Sequence, residues 1–163
     1  LLGVALILIH ALVKLTPFAL QPFETGLPAW QWGLYGLVTF SLAYSEGYRG
    51  FQKGFSPRLV LRAFALKHHA TPTRIVLAPL FCMGLFGATR RRLTSMWILT
   101  AFIIGAILAV RLLPYPYRSI VDGGVVVGLG WGLTSVLVFL VKTLAGSPPS
   151  IPLDIPLPHD SQK

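Results

Sequence analysis

The sequence predicts an all-α integral membrane protein with four transmembrane helices, a short re-entrant or half-spanning segment and an interfacial amphipathic helix. Four apolar stretches lead to this fold class, at residues 1–20, 27–45, 93–113 and 120–144. Each is close to the roughly 20 residues that a helix needs to cross a bilayer. In addition, Lys and Arg are concentrated in the connections at one end of these stretches, which makes the orientation predictable.

The composition argues against a soluble globular domain. Of the 163 residues, 54% are hydrophobic and 12% are charged, whereas a soluble domain carries about 25% charged residues. We therefore predict one polytopic membrane domain over residues 1–145, followed by a Pro-rich extended tail over residues 146–163. Because Cys82 is the one cysteine, an internal disulfide and a multi-thiolate metal site are excluded.

The first stretch, residues 1–20, is apolar except for His10 and Lys14. We expect a retained membrane helix and not a cleaved signal peptide, because Lys14 lies late in the stretch and no small-residue cleavage motif follows. The second stretch, residues 27–45, begins with Trp30 and Trp32. Aromatic residues at that position are typical of a membrane–water interface.

The basic region at residues 46–74 follows the second stretch. Ser56 and Pro57 predict a helix start, since serine is a favoured N-cap residue and proline is favoured at the first helical position. We expect residues 56–69 to form an amphipathic helix in the headgroup plane, with Arg58 and Arg62 on its polar face.

The apolar segment at residues 75–88 is too short for a typical crossing and contains Pro79, Gly84 and Gly87. A segment that enters the membrane and returns would keep the basic residues on both flanks on one side, as the positive-inside rule favours. A full crossing is the alternative, because residues 71–73 and 89 would lengthen the segment enough to nearly span.

The charge distribution predicts that both termini and the basic regions lie on the cytoplasmic side of a bacterial inner membrane or an organellar membrane. The net charge of +9 is then explained by cytoplasmic loops facing anionic lipid headgroups, and nucleic acid is not an expected partner. The residues predicted to contact anionic lipid or a partner are Arg49, Lys53, Arg58, Arg62, Arg90, Arg91 and Arg92.

Two rows of small residues recur at four-residue spacing, which places each row on one face of a helix. Small side chains let helix backbones approach closely in a membrane. We predict that the last two helices pack on each other through these rows, with a helix of another chain, or a lipid or pigment in the groove, as the alternative. The rows are Ala101, Gly105 and Ala109 in the first helix, and Gly124, Gly128 and Gly132 in the second.

Ionisable residues within or beside the predicted spans are candidate functional groups. Asp122 lies four residues after Arg118, a spacing that predicts an ion pair, with Arg111 as a second possible partner and a proton or ion site as the alternative. Glu46, where we expect the second helix to leave the membrane, is three residues from Arg49 and predicts a similar pair.

His10 is the one candidate ligand for a haem or chlorophyll. A haem with two histidine ligands needs a second histidine at matching depth, and the other predicted spans contain none. We therefore predict neither a resident cofactor nor a metal site.

Sequence motifs of common enzyme classes are absent, including the nucleophile elbow, the zinc-protease motif, the phosphate loop and the dinucleotide fingerprint. No catalytic residue is therefore predicted. We expect a non-catalytic accessory, assembly or stabilising subunit of a larger membrane protein complex, such as a respiratory or photosynthetic one. Two alternatives stay open: a small transporter or channel using Lys14, Glu46 or Asp122, and a lipid-binding or lipid-modifying protein using Glu46 and Arg49.

Overall fold

The computed structural model describes residues 2–68, 77–85 and 90–149, and within these ranges the chain is helical apart from short connections and contains no strand. The Pro-rich tail from residue 150, the basic residues at 69–76 and the end of the short apolar segment at 86–89 lie outside the described residues. The elements are α1 (Leu2–Thr25), α2 (Ala29–Leu42), the π-helix π1 (Ala43–Phe55), α3 (Ser56–His68), α4 (Ala78–Met83), α5 (Arg90–Arg111) and α6 (Tyr117–Leu144).

Three helices are long and apolar enough to cross a membrane: α1, α5 from Leu93 onward, and α6. The longest is α6, whose 28 residues correspond to about 42 Å at 1.5 Å per residue. The remaining apolar stretch, the second in the sequence at residues 27–45, is divided between α2 and π1. The short apolar segment contains α4, whose six residues extend only about 9 Å.

The first helix is longer than the sequence predicts. It continues through Pro17 and Pro22 and ends at Thr25, five residues beyond the expected end at residue 20. Gly26 then adopts a left-handed backbone, with φ of 75°, and its N–H donates to the Pro22 carbonyl over 3.0 Å. A left-handed glycine is a common C-terminal helix stop.

The elements α2, π1 and α3 form one continuous helical segment, whereas the sequence predicts an end near residue 45 and a new start at Ser56. Leu42 and Ser56 both have helical backbone angles, so Ser56 is not an N-cap. The Ser56 N–H donates to the Phe51 carbonyl five residues earlier, as in a π-helix. Pro57 follows directly and has no N–H to donate. The backbone hydrogen bonds therefore change from π-helical to α-helical spacing at a residue that makes no such bond in either helix.

The central helix of the bundle is α6, which α1, α2, π1 and α3 all contact. The pairs Tyr35–Gly123 and Phe51–Gly132 show that the α2–π1 segment runs parallel to α6. In contrast, α1 runs antiparallel, since Phe18 contacts Arg118 near the start of α6 while Val4 shares a core cluster with Val136, 18 residues later.

The main apolar core lies at the end of the bundle nearer Lys142. Its buried members come from four helices: Val4, Leu8, Leu59, Phe81, Cys82 and Val136. On α3, Leu59 is 1% exposed and Val60 is fully buried. The structure therefore places α3 inside the bundle, against α6 and α4, and not apart from it as the predicted surface helix.

Helix α5 stands largely apart from the bundle. All residues from 101 to 109 are exposed, including the predicted packing row of Ala101, Gly105 and Ala109. A methyl group added to Gly105 would meet no atom within 4 Å. The predicted pairing of this row with α6 is therefore not the arrangement in the structure, because α6 directs its own glycines toward the α2–π1 segment.

Candidate functional site

The glycine row of α6 is the surface on which the α2–π1 segment lies. A methyl group on Gly124 would come within 2.7 Å of Leu42 Cδ1 and 3.2 Å of the Val38 carbonyl oxygen. A methyl group on Gly132 would lie 2.6 Å from the Phe51 ring. Carbon atoms do not approach so closely. A methyl group would therefore force the Phe51 ring to move at Gly132, and the Leu42 side chain and the Val38 backbone to move at Gly124, so glycine at both positions favours this close approach.

The π-helical geometry of π1 sets which of its residues face α6. Leu42, Glu46, Gly47 and Phe51 lie against the glycine row or its neighbour Trp131. In an α-helix, with 3.6 residues per turn, the positions that follow Glu46 on the same face would be near 49 and 53 instead of 51. The π-helix thus keeps Arg49 and Lys53, both exposed, away from the glycine row.

Side chains at intervals of four and then five residues also contact one another along the exposed side of π1. The Tyr44 and Tyr48 rings stack with centroids 5.7 Å apart, and Lys53 Nζ lies 4.6 Å from the Tyr48 ring centroid. A cation at that distance from an aromatic face is attracted by it. Across the interface, Trp131 Nε1 donates a 2.8 Å hydrogen bond to Gln52 Oε1.

Glu46 lies beside the middle of α6 and not at its end. A methyl group on Gly128 would sit 3.5 Å from Glu46 Cβ and 3.6 Å from its Oε2. Gly128 is 11 residues after Tyr117 and 16 before Leu144, roughly 17 Å and 24 Å from the two ends. The sequence places Glu46 at a membrane boundary, whereas the structure places it, exposed, well inside the apolar length of α6.

His10 and Lys14 occupy a comparable position on α1, and both are exposed. Lys14 is 12 residues after Leu2 and 11 before Thr25, so it lies roughly 18 Å and 17 Å from the two helix ends. Exposed ionisable side chains therefore occur halfway along α1, at Lys14, and beside the middle of α6, at Glu46.

A largely buried polar cluster joins α1, α2 and α6 near the start of α6. Arg118 Nε lies 3.5 Å from Asp122 Oδ2, and the Asp122 side chain is 5% exposed. The Arg118 guanidinium carbon also lies 4.0 Å from the Phe18 ring centroid. Nearby, the Tyr35 hydroxyl donates to the Ala19 carbonyl over 3.1 Å. Arg111, the other predicted partner of Asp122, is exposed at the end of α5.

Arg62 is buried, at 4% exposure, whereas the sequence predicts it on an exposed basic face. Its Nη1 donates a 2.9 Å hydrogen bond to the Phe81 carbonyl, and its guanidinium carbon lies 5.3 Å from the Phe81 ring centroid. The correction follows from α4, which covers this face of α3. Arg58 is half-buried, Arg90 is exposed, and the side chains of Arg91 and Arg92 lie outside the described residues.

Comparison with known protein families, with curated proteins and with solved structures finds no match to this chain. Within residues 2–68, 77–85 and 90–149, no group of three His, Cys, Asp or Glu side chains is arranged to hold a metal ion. Sequence reasoning missed the Gln52–Trp131 link. A tryptophan among glycines halfway along an apolar stretch was the available signal, because Trp is otherwise most frequent at the ends of membrane spans.

Proposed function

We propose that the chain is an integral membrane protein with four helical crossings, α1, the α2–π1 segment, α5 and α6. We further propose that it is a non-catalytic accessory or stabilising subunit of a larger membrane protein complex. Both termini then lie on the cytoplasmic side of a bacterial inner membrane or an organellar membrane, with the basic regions near anionic headgroups.

The observation that carries this proposal is the exposure of charged side chains at the middle of apolar helices, Lys14 halfway along α1 and Glu46 beside the middle of α6. Lys14 and Glu46 are both exposed. Each lies farther from the nearer helix end than its side chain can reach, so neither charge extends to that end. A charged side chain at the bilayer centre costs about 2.5–3.5 kcal/mol even on the mildest scale. Such groups almost always face protein or a water-filled cavity, so a neighbouring subunit would supply the cover that the described part of this chain does not provide.

Helix α5 gives independent support. Its row of Ala101, Gly105 and Ala109 is exposed, and Gly105 has open space around it. In a bilayer, helices associate through close van der Waals contact at small residues. A helix of another subunit would find on α5 the kind of surface that α6 already uses within this chain.

The test is the state of the protein in its native membrane, extracted in mild detergent and separated on a native gel with mass spectrometry of each band. We expect comigration with other membrane proteins in fixed stoichiometry. Gly105→Ile should abolish the comigration, whereas the matched variant Gly33→Ile, on α2 and also in open space, should preserve it. A single small species formed by the unaltered protein would overturn the proposal.

A small transporter or channel is the second candidate, because the same charges at Lys14 and Glu46 would also suit a water-filled path. Reconstituted proteoliposomes separate the two candidates. Ion or solute flux by the purified chain alone, lost in Lys14→Met and in Glu46→Gln, would favour the transporter. Tight vesicles together with comigration in the native membrane would favour the subunit.

A further inference from the structure

A groove of about 550 Å³ lies beside α6, and neither Arg118 nor Asp122 lines it. Along α6 its lining includes Val127, Trp131, Val138 and Lys142, and Gln52 contributes from π1. The α6 positions recur every three to four residues or multiples of that spacing, so they form one face of the helix. The groove is mostly apolar along its length and has a cationic residue at one end.

We propose that this groove binds one acyl chain of an anionic glycerophospholipid, with the lipid phosphate at Lys142 and the chain directed toward Gln52 and Trp131. The inference rests on the membrane placement proposed above, but not on the partner subunits.

The length of the groove fits one lipid. From Val127 to Lys142 there are 15 helical steps, or about 22 Å at 1.5 Å per residue. A bilayer is about 40–45 Å thick including its headgroups, so one leaflet accounts for about 20–22 Å. A lipid whose phosphate lies at Lys142 would therefore reach the far end of the groove with the end of its acyl chain.

The two ends of the groove differ in polarity as a lipid does. Lys142 is exposed in the last turn of α6, where a cation is free to bind a phosphate at the membrane surface. At the other end, the Trp131 and Gln52 side chains satisfy each other through their 2.8 Å hydrogen bond. That end consequently presents the apolar ring of Trp131 to the end of an acyl chain.

Gly130 gives the groove its width. It lines the groove, and a methyl group added to it would meet no atom within 4 Å. A side chain at this position therefore begins in open space, and a larger one would extend into the groove that Gly130 lines. This property provides a variant that blocks the groove and leaves the packing of α6 against π1 intact.

The experiment is native mass spectrometry of the delipidated, detergent-purified protein after addition of 16:0/18:1 phosphatidylglycerol or the matching phosphatidylcholine. We expect one tightly retained lipid, with phosphatidylglycerol preferred. Lys142→Gln should lower phosphatidylglycerol retention about fivefold, toward that of phosphatidylcholine, as loss of one lysine–headgroup attraction predicts. Gly130→Leu should lower retention of both lipids, and Gly33→Leu, in open space on α2, should change neither.

Two results would overturn the inference: unaltered lipid retention by Gly130→Leu, or an unaltered preference for phosphatidylglycerol in Lys142→Gln. Circular dichroism of each variant shows whether it is folded, and Gly130→Ala serves as a smaller substitution if the leucine variant is not. Alkaline extraction of membranes separates this inference from the proposed function. If the protein stays in the membrane yet binds no lipid, only the lipid site is refuted, whereas release into the soluble fraction refutes the membrane placement itself.

Discussion

Arg62 Nη1 donates a 2.9 Å hydrogen bond to the carbonyl oxygen of Phe81, joining α3 to α4. Helix α4 has only six residues, and isolated helices shorter than about 12 residues are marginal in water. Its position is therefore maintained by tertiary contacts, namely this hydrogen bond and the burial of Phe81 and Cys82. Gly84 completes the arrangement, because its φ of 81° ends α4 beside the Arg62 guanidinium.

Replacing Arg62 by Met should detach α4 and expose Cys82. The substitution keeps an unbranched side chain but removes one of two donors to the Phe81 carbonyl, the other being the Gly84 N–H. Loss of this charge-assisted hydrogen bond should cost about 1–3 kcal/mol in the free energy of unfolding. Cys82 is 2% exposed and is the one cysteine of the chain, so its rate of modification by a maleimide reports the opening directly. We expect a faster rate in Arg62→Met.

The control for this prediction is Arg49→Met, since Arg49 is exposed on π1. Its Cys82 should react at the rate of the unaltered protein. Equal rates in Arg62→Met and the unaltered protein would show that Arg62 does not hold α4 in place.

Arg118→Gln should destabilise the protein more than Asp122→Asn. Without Arg118, the Asp122 carboxylate would remain buried at 5% exposure and lose its ion pair, a loss of about 2–4 kcal/mol. Without the Asp122 charge, Arg118 is still 31% exposed and still lies over the Phe18 ring, so the loss should be about 1 kcal/mol. Unfolding in a denaturing detergent measures the loss in the free energy of unfolding for each variant.

The double variant Arg118→Gln/Asp122→Asn tests whether the two side chains act as a pair. Its loss of stability should be smaller than the sum of the two single losses, because the second substitution removes a group that the first has left unpaired. Additive losses, or a larger loss for Asp122→Asn, would contradict the predicted asymmetry.

Gly132→Ala should destabilise the bundle, and Gly128→Ala should not. The methyl group on residue 132 would lie 2.6 Å from the Phe51 ring, whereas on residue 128 its closest contact is 3.5 Å. Overpacking of this kind costs about 1–3 kcal/mol, while alanine in a helix is favoured over glycine by up to about 1 kcal/mol. Thermal unfolding followed by circular dichroism gives the melting temperature of each variant. Equal melting temperatures for Gly132→Ala and Gly128→Ala would refute the close approach of π1 to α6.

The apolar stretches of the sequence were sufficient to locate α1, α5 and α6, because a long run of apolar residues is a local property of the chain. Their ends were less predictable. Pro17 and Pro22 resemble helix stops in the sequence, yet α1 continues to Thr25. The end is determined by Gly26, whose left-handed backbone is visible only in the structure.

The candidate site was less predictable, since it depends on contacts between distant segments. The glycines at 124, 128 and 132 predict a close helix contact, but their spacing does not identify the α2–π1 segment as the partner. Likewise, the basic sequence around Arg62 is typical of an exposed face, and only the position of α4 buries it. Gly47, Gly50 and Gly54 in the sequence indicate a departure from α-helical geometry, but they do not specify that the chain continues as a π-helix.

The central place of α6 has a consequence for the order of biosynthesis. A ribosome makes a chain from its N-terminus, so α1, α2 and π1 are synthesised before Tyr117, where their common packing partner begins. Until α6 has been synthesised, α1, α2 and π1 lack the helix on which all three pack. A translation arrest before α6 would leave a product with its helices made but unassembled, a species that a membrane protease would cleave far more readily than the finished bundle.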